Sequence, residues 1–133
     1  MSEERCPVFL IGAGRSGTKF LRTCLSASKQ VDSVPYDINY VWRYGNENKR
    51  DDEITPKNLT TRIKRYITES LPRLTDTQKP QARFIVEKSV PNTLRISFIN
   101  AVFPNAKFIH LTRDGRAVIE SSVRQWNQPA GKG

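Results

Sequence analysis

The chain has 133 residues, 37% of them hydrophobic, with a mean hydropathy of −0.57, which describes one globular domain with a modest core. No apolar run reaches the length of a membrane span, and two cysteines (Cys6, Cys24) with one histidine (His110) supply neither a disulfide framework nor zinc-ligand spacing, so no metal site is expected. The formal charge of +9, from 22 basic against 13 acidic residues, attracts polyanions; nucleic acid, a small anionic ligand and a solvated basic surface all stay open until the motifs are read.

The start, Met1 to Arg5, lacks the pattern of a secretory signal, so the cytoplasm is the expected location. Pro7 to Ile11 reads PVFLI, a continuous apolar run of the buried-strand kind. Gly17 to Ser28 follows as a helix with Phe20, Leu21, Cys24 and Leu25 on one face. Residues 31–53 are irregular and read as loop with one short helix. Thr55-Pro56 has the form of a helix start, and Leu59, Ile63, Tyr66, Ile67 and Leu71 repeat at helical spacing until Pro72. Arg83 to Ser89 reads as a second strand, and Asn92 to Phe103 as a helix with Leu94, Phe98, Ile99 and Val102 inward. Ala106 to Thr112 is a third strand. Asp114 caps a last helix running to Trp126.

Apolar strands alternating with helices predict an α/β fold, three-layered, with a parallel sheet flanked by helices on both faces. Ligands of such sheets bind beyond the C-terminal strand ends, and three segments fall there: Gly12–Lys19, Glu87–Lys88 and Arg113–Asp114. The first reads GAGRSGTK. Glycines let its backbone approach a ligand, amides at the following helix N-terminus bind anions, Ser16 and Thr18 add hydroxyls, and Arg15 and Lys19 add charge. The order Thr18-Lys19 reverses the Lys-Ser/Thr ending of ATP-binding loops. Arg113 ends a strand, and Ser121 follows eight residues later on the helix face of the small Ala117; together they can grip a second phosphate.

These segments resemble the sulfotransferases. PVFLIGAGRSGTKFL is similar to their 5′-phosphosulfate loop, and RDGRAVIES to their 3′-phosphate motif. VEKSVPNTLRISFINAVFPNAKFIHLTRD between them is also similar, and the likeness covers residues 7–28 and 84–124. It implies one sulfotransferase-like domain of three-layer, P-loop-NTPase-like fold over residues 1–133, with three readings open for its short C-terminal side: a fragment, a naturally short relative, or a chain completed by a partner subunit. It also implies binding of 3′-phosphoadenosine 5′-phosphosulfate (PAPS), or its product 3′-phosphoadenosine 5′-phosphate (PAP), by Gly14, Arg15, Ser16, Gly17, Thr18, Lys19, Arg113 and Ser121. Sulfuryl transfer to a hydroxyl or amine needs a base, positive charge on the reacting oxygens and in-line alignment. By resemblance Arg15 stands where related loops carry a catalytic Lys, and Lys88 matches a Lys near the sulfuryl group. Asp37 falls where the family carries an acidic base, and apolar surroundings are expected to strengthen it. Glu87 is the competing base, or it orients Lys88. Tyr36, Tyr40, Trp42 and Tyr44 either line an acceptor pocket or pack a loop down.

The expected partner is a small-molecule or glycan acceptor, with no nucleic acid and no membrane span, and a homo-oligomer is open. Two other readings stand beside the sulfotransferase: a P-loop nucleotide kinase or NTPase, and a basic polyanion-binding module without catalysis.

Overall fold

The computed structural model describes residues 5–13, 17–76 and 79–127. Four strands form one parallel sheet: β1 (Cys6–Ile11), β2 (Val31–Ser33), β3 (Phe84–Glu87) and β4 (Lys107–His110), in the order β2-β3-β1-β4. The helices are α1 (Thr18–Ser26), α2 (Asn39–Trp42), α3 (Thr61–Arg73), α4 (Ile96–Val102) and α5 (Gly115–Trp126). The predicted α/β fold with a parallel sheet is therefore the one observed, with one strand more than expected.

The alternation of side chains along β1 builds two cores. Val8 and Leu10 point to one face and meet Val86, Leu21 and Leu25, which seats α1 there. Phe9 and Ile11 point to the other and join Ile85 with residues of α2, α3 and α4. Phe9 lies 5.4 Å from the Trp42 ring, edge to face, and 5.7 Å from both Phe103 and Phe108. Such aromatic pairs add about 0.5–1.5 kcal/mol each beyond area burial. This explains a strand apolar at every position: it is central and covered on both faces.

The largest departure from expectation is the 31–53 segment. Val31–Ser33 is an edge strand paired with β3, and Val34, Ile38, Val41 and Trp42 are core residues. The buried Asp32 carboxylate accepts from Arg5 Nη1 at 3.1 Å and from the Lys79 amide at 3.2 Å. The Lys79 ammonium in turn donates to the carbonyls of Ser26, Ser28 and Val31, tying the end of α1 to this strand. Three residues with one acidic member carry no strand period, so tertiary contacts make this element.

Other differences are smaller. Thr55-Pro56 opens a 3₁₀ turn over Pro56–Asn58, and α3 is capped instead by Thr60, whose hydroxyl accepts from the Ile63 amide at 3.2 Å. Pro72 lies inside the last turn of α3. Residues 90–94 form a 3₁₀ turn before α4, which leaves Leu94 exposed. On α1, Phe20 and Cys24 are exposed while Leu21 and Leu25 pack. His110, at the end of β4, is exposed.

Candidate functional site

Register places the three strand ends together. Phe9 pairs with Glu87 on one side and with Phe108 on the other, and Ile11 pairs with His110. The Leu111 amide extends the ladder by donating to the Ile11 carbonyl at 2.8 Å. The segments that follow β1, β3 and β4 therefore leave the sheet at one edge, side by side.

After β1, Gly17 precedes α1 with φ +98°, a left-handed conformation that a side chain would strain. Space for a Cβ is open there, and no side chain caps the first turn of α1 among the described residues. The amides of that turn carry the partial positive charge of the helix end. Thr18 is buried and Lys19 exposed. Gly14, Arg15 and Ser16 lie outside the described residues.

After β4, Asp114 caps α5 by accepting from the Arg116 amide at 2.8 Å. Arg113 is exposed and Ser121 is buried. Because β4 neighbours β1, the segment that carries Arg113 begins beside the end of β1.

At the end of β3, Lys88 Nζ donates to Asp37 Oδ1 at 3.3 Å, and the Val90 amide reaches Asp37 Oδ2 at 3.4 Å. Two residues taken separately from the sequence thus meet. The surroundings of Asp37 are not apolar as expected: its side chain is 41% exposed and faces an ammonium. Thr93 Oγ1 donates to the Gly12 carbonyl at 3.3 Å, joining the 90–94 turn to the end of β1. Between them lies a cleft of about 370 Å³ lined by Gly12, Ala13, Asp52, Val90, Pro91 and Thr93. Asn39 and Arg43 bond the Asp52 carboxylate, and these contacts, the Asn39 one foremost, hold its pKa below the usual carboxylate value.

Sequence reasoning missed the polar cluster behind this cleft. Glu87 is fully buried; it takes hydrogen bonds from Ser89 Oγ and, at 2.8 Å, from Asn92 Nδ2. Burial pushes its carboxyl up to about 7 against those bonds, which act to lower it. Asn92 Oδ1 accepts from Arg95 Nε and Nη2 at 3.0 and 2.8 Å. Arg95, also buried, is pulled down to about 10 by desolvation, with Glu87 opposing. Glu87 itself is a sequence candidate, as a competing base or as orienting Lys88, but its partners Ser89, Asn92 and Arg95 straddle a strand end and a helix start and carry no signal of meeting.

The aromatic residues divide. Trp42 is core, and Tyr44 stacks on Tyr66 at 3.8 Å, so neither lines a pocket. Tyr36 and Tyr40 flank Asp37 in sequence and are exposed, with their hydroxyls 3.3 Å apart. That bond pushes the Tyr40 phenol up to about 12. No cluster of His, Cys, Asp or Glu able to hold a metal occurs among the described residues, nor any helix long and apolar enough to cross a membrane.

Comparison with known proteins extends this picture. A model described as the sulfotransferase family matches residues 7–132. Protein-tyrosine sulfotransferase 2 of Gallus gallus is 31% identical over 134 residues, covering 92% of this chain and 35% of that protein. Protein-tyrosine sulfotransferase 1 of Danio rerio is 28% identical, over 87% of this chain and 35% of that protein; that of Homo sapiens is 26% identical, over 87% and 33%. The chain thus spans about a third of the length of these relatives. The cytoplasmic location expected from the first residues is overturned by these relatives, which are protein-tyrosine sulfotransferases; the stretch Met1 to Arg5 is too short to fix a compartment.

Proposed function

Because the chain belongs to the sulfotransferase family, we propose that it binds PAPS across the ends of β1 and β4 and passes the sulfuryl group to a hydroxyl or amine acceptor at the end of β3. The observation that carries this reading is the parallel register of the three strand ends, with the Lys88–Asp37 pair at one of them.

The residues fit such a donor: an uncapped helix N-terminus beside an exposed Lys19 suits the 5′-phosphate, and Arg113 with Ser121 suits the 3′-phosphate. Bound there, the donor supplies an activated sulfuryl group on a phosphate leaving group. The α1 amides, Gly17, Thr18 and Lys19 hold that phosphate, together with Gly14, Arg15 and Ser16, which keep their sequence-based assignments. Arg15 adds the charge that eases the phosphate's departure. Asp37 takes the acceptor's proton. The Lys88 ammonium, beside it, faces the charge that builds on the sulfuryl oxygens. A tyrosyl peptide is the first acceptor to assay, since the relatives named above act on protein tyrosine.

Calorimetric titration with PAP, PAPS and ATP tests the donor. PAP should bind with no magnesium requirement. Magnesium-dependent ATP binding with no response to PAP would instead support the kinase or NTPase reading.

A further inference from the structure

The Lys88–Asp37 pair is held from behind by a side chain that never reaches the surface. Glu87 sits at the last position of β3, fixed by its pairing with Phe9, and its side chain is fully buried. One carboxyl oxygen is bonded to Ser89 Oγ, and Ser89 Oγ also accepts from the Ile38 amide at 2.9 Å. The other oxygen is bonded to Asn92 Nδ2. The first contact therefore spans Lys88 and ties it to the residue after Asp37. The second fixes the turn that carries Val90, whose amide bonds Asp37, and Thr93, whose hydroxyl bonds Gly12. Ser89, at the start of this turn, and Asn92, within it, are thus both anchored to one carboxyl group.

We propose that Glu87 is a positioning residue, which through Ser89 and Asn92 sets Lys88 and Asp37 against each other at the strand end. The proposal rests on the reading that this pair serves sulfuryl transfer, and it names what aligns the pair. What Glu87 contributes is length and hydrogen-bonding shape. A glutamine fits the same place, donating to Ser89 Oγ and accepting from Asn92; burial already favours the uncharged carboxyl that it imitates. An aspartate, one methylene shorter, cannot reach both partners from a fixed strand position.

The test compares Glu87→Gln, Glu87→Asp and Ser89→Ala in the full chain, with two readouts. The first is acylation of Lys88 by acetic anhydride, followed by mass spectrometry against the exposed Lys57 as internal reference. Lys88, with a side chain 14% exposed, should react slowly in wild type and in Glu87→Gln, and faster in Glu87→Asp and Ser89→Ala. The second is turnover with PAPS beside PAP affinity. Glu87→Asp should lose roughly a hundredfold in kcat, the scale of an ångström's misplacement, with PAP affinity kept, and Glu87→Gln should stay near wild type. A Glu87→Gln as damaged as Glu87→Asp would overturn the proposal, since the carboxylate would then act by charge or by moving a proton. So would Lys88 reactivity unchanged in both Glu87→Asp and Ser89→Ala. If Glu87→Asp fails to fold, Ser89→Ala decides through Lys88 reactivity. The labelling readout needs no sulfuryl transfer, so a chain that turned over nothing would refute the functional reading and still decide this one.

Discussion

Lys88 and Asp37 form a partly exposed ion pair, of a class worth only about 0–1 kcal/mol in water. Either partner can turn to a ligand at small cost, which suits a pair that must change contacts as charge moves. Asp37→Asn should lower turnover by roughly two to four orders of magnitude while PAP affinity holds, the usual effect of losing a general base. Wild-type turnover in that variant would mean that the base is another residue. Arg113→Ala addresses the donor side. PAP should lose about 1.5–3 kcal/mol of binding, as for a hydrogen bond to a charged group, while a nucleotide without the 3′-phosphate loses little. Equal losses for the two nucleotides would remove Arg113 from that role.

Among the elements, α1 begins at a glycine whose backbone a side chain would strain, Gly17 with φ +98°. Gly17→Ala leaves its methyl in open space, so the whole effect is torsional, about 1–2 kcal/mol for forcing an alanine into the left-handed region. The expected result is a lower thermal midpoint together with weaker PAP binding; an unchanged midpoint would show that the turn relaxes. This level also shows what the sequence could and could not convey. PVFLI announces its burial because both faces of β1 are covered, and Asp114 announces α5 because a cap is a local bond. Val31–Ser33 announces nothing, since its place depends on Phe84 and Lys79, distant along the chain. Glu87 was legible as a candidate beside Lys88, but its burial was not: a buried carboxyl and an exposed one share a letter, and only the covering elements tell them apart. Asp37 and Lys88 were legible as candidates, whereas their meeting was not.

For the whole molecule, Glu87 makes stability depend on pH. Its carboxyl is raised from about 4.5 in the unfolded chain to about 7 in the fold, so between those values the folded state holds a proton that the unfolded state has lost. Stability from this group therefore falls as pH rises from about 4.5 to about 7 and is level above. Urea midpoints for wild type and Glu87→Gln should diverge in favour of the glutamine across that window, and parallel curves would contradict the assigned shift. A second global property is the outer face of α5. Ile119, Val123 and Trp126 are 66%, 44% and 79% exposed at one helical spacing. Apolar surface of this kind promotes association. Light scattering should show concentration-dependent growth that Val123→Glu reduces, and a monomer at all concentrations would count against it.

The pairing of β1 also sets an order of events during synthesis. Its partners lie roughly eighty to a hundred positions downstream, Cys6 opposite Phe84 and Ile11 opposite His110, and such distant closures are slow. At a ribosomal rate of about 5–20 residues per second, β1 emerges several seconds or more before the strands it pairs with. During that interval PVFLI is a bare, strand-prone run, a natural client for a holding chaperone. The edge where the donor is proposed to bind exists only after β4 has docked, so competence to bind nucleotide waits on that docking.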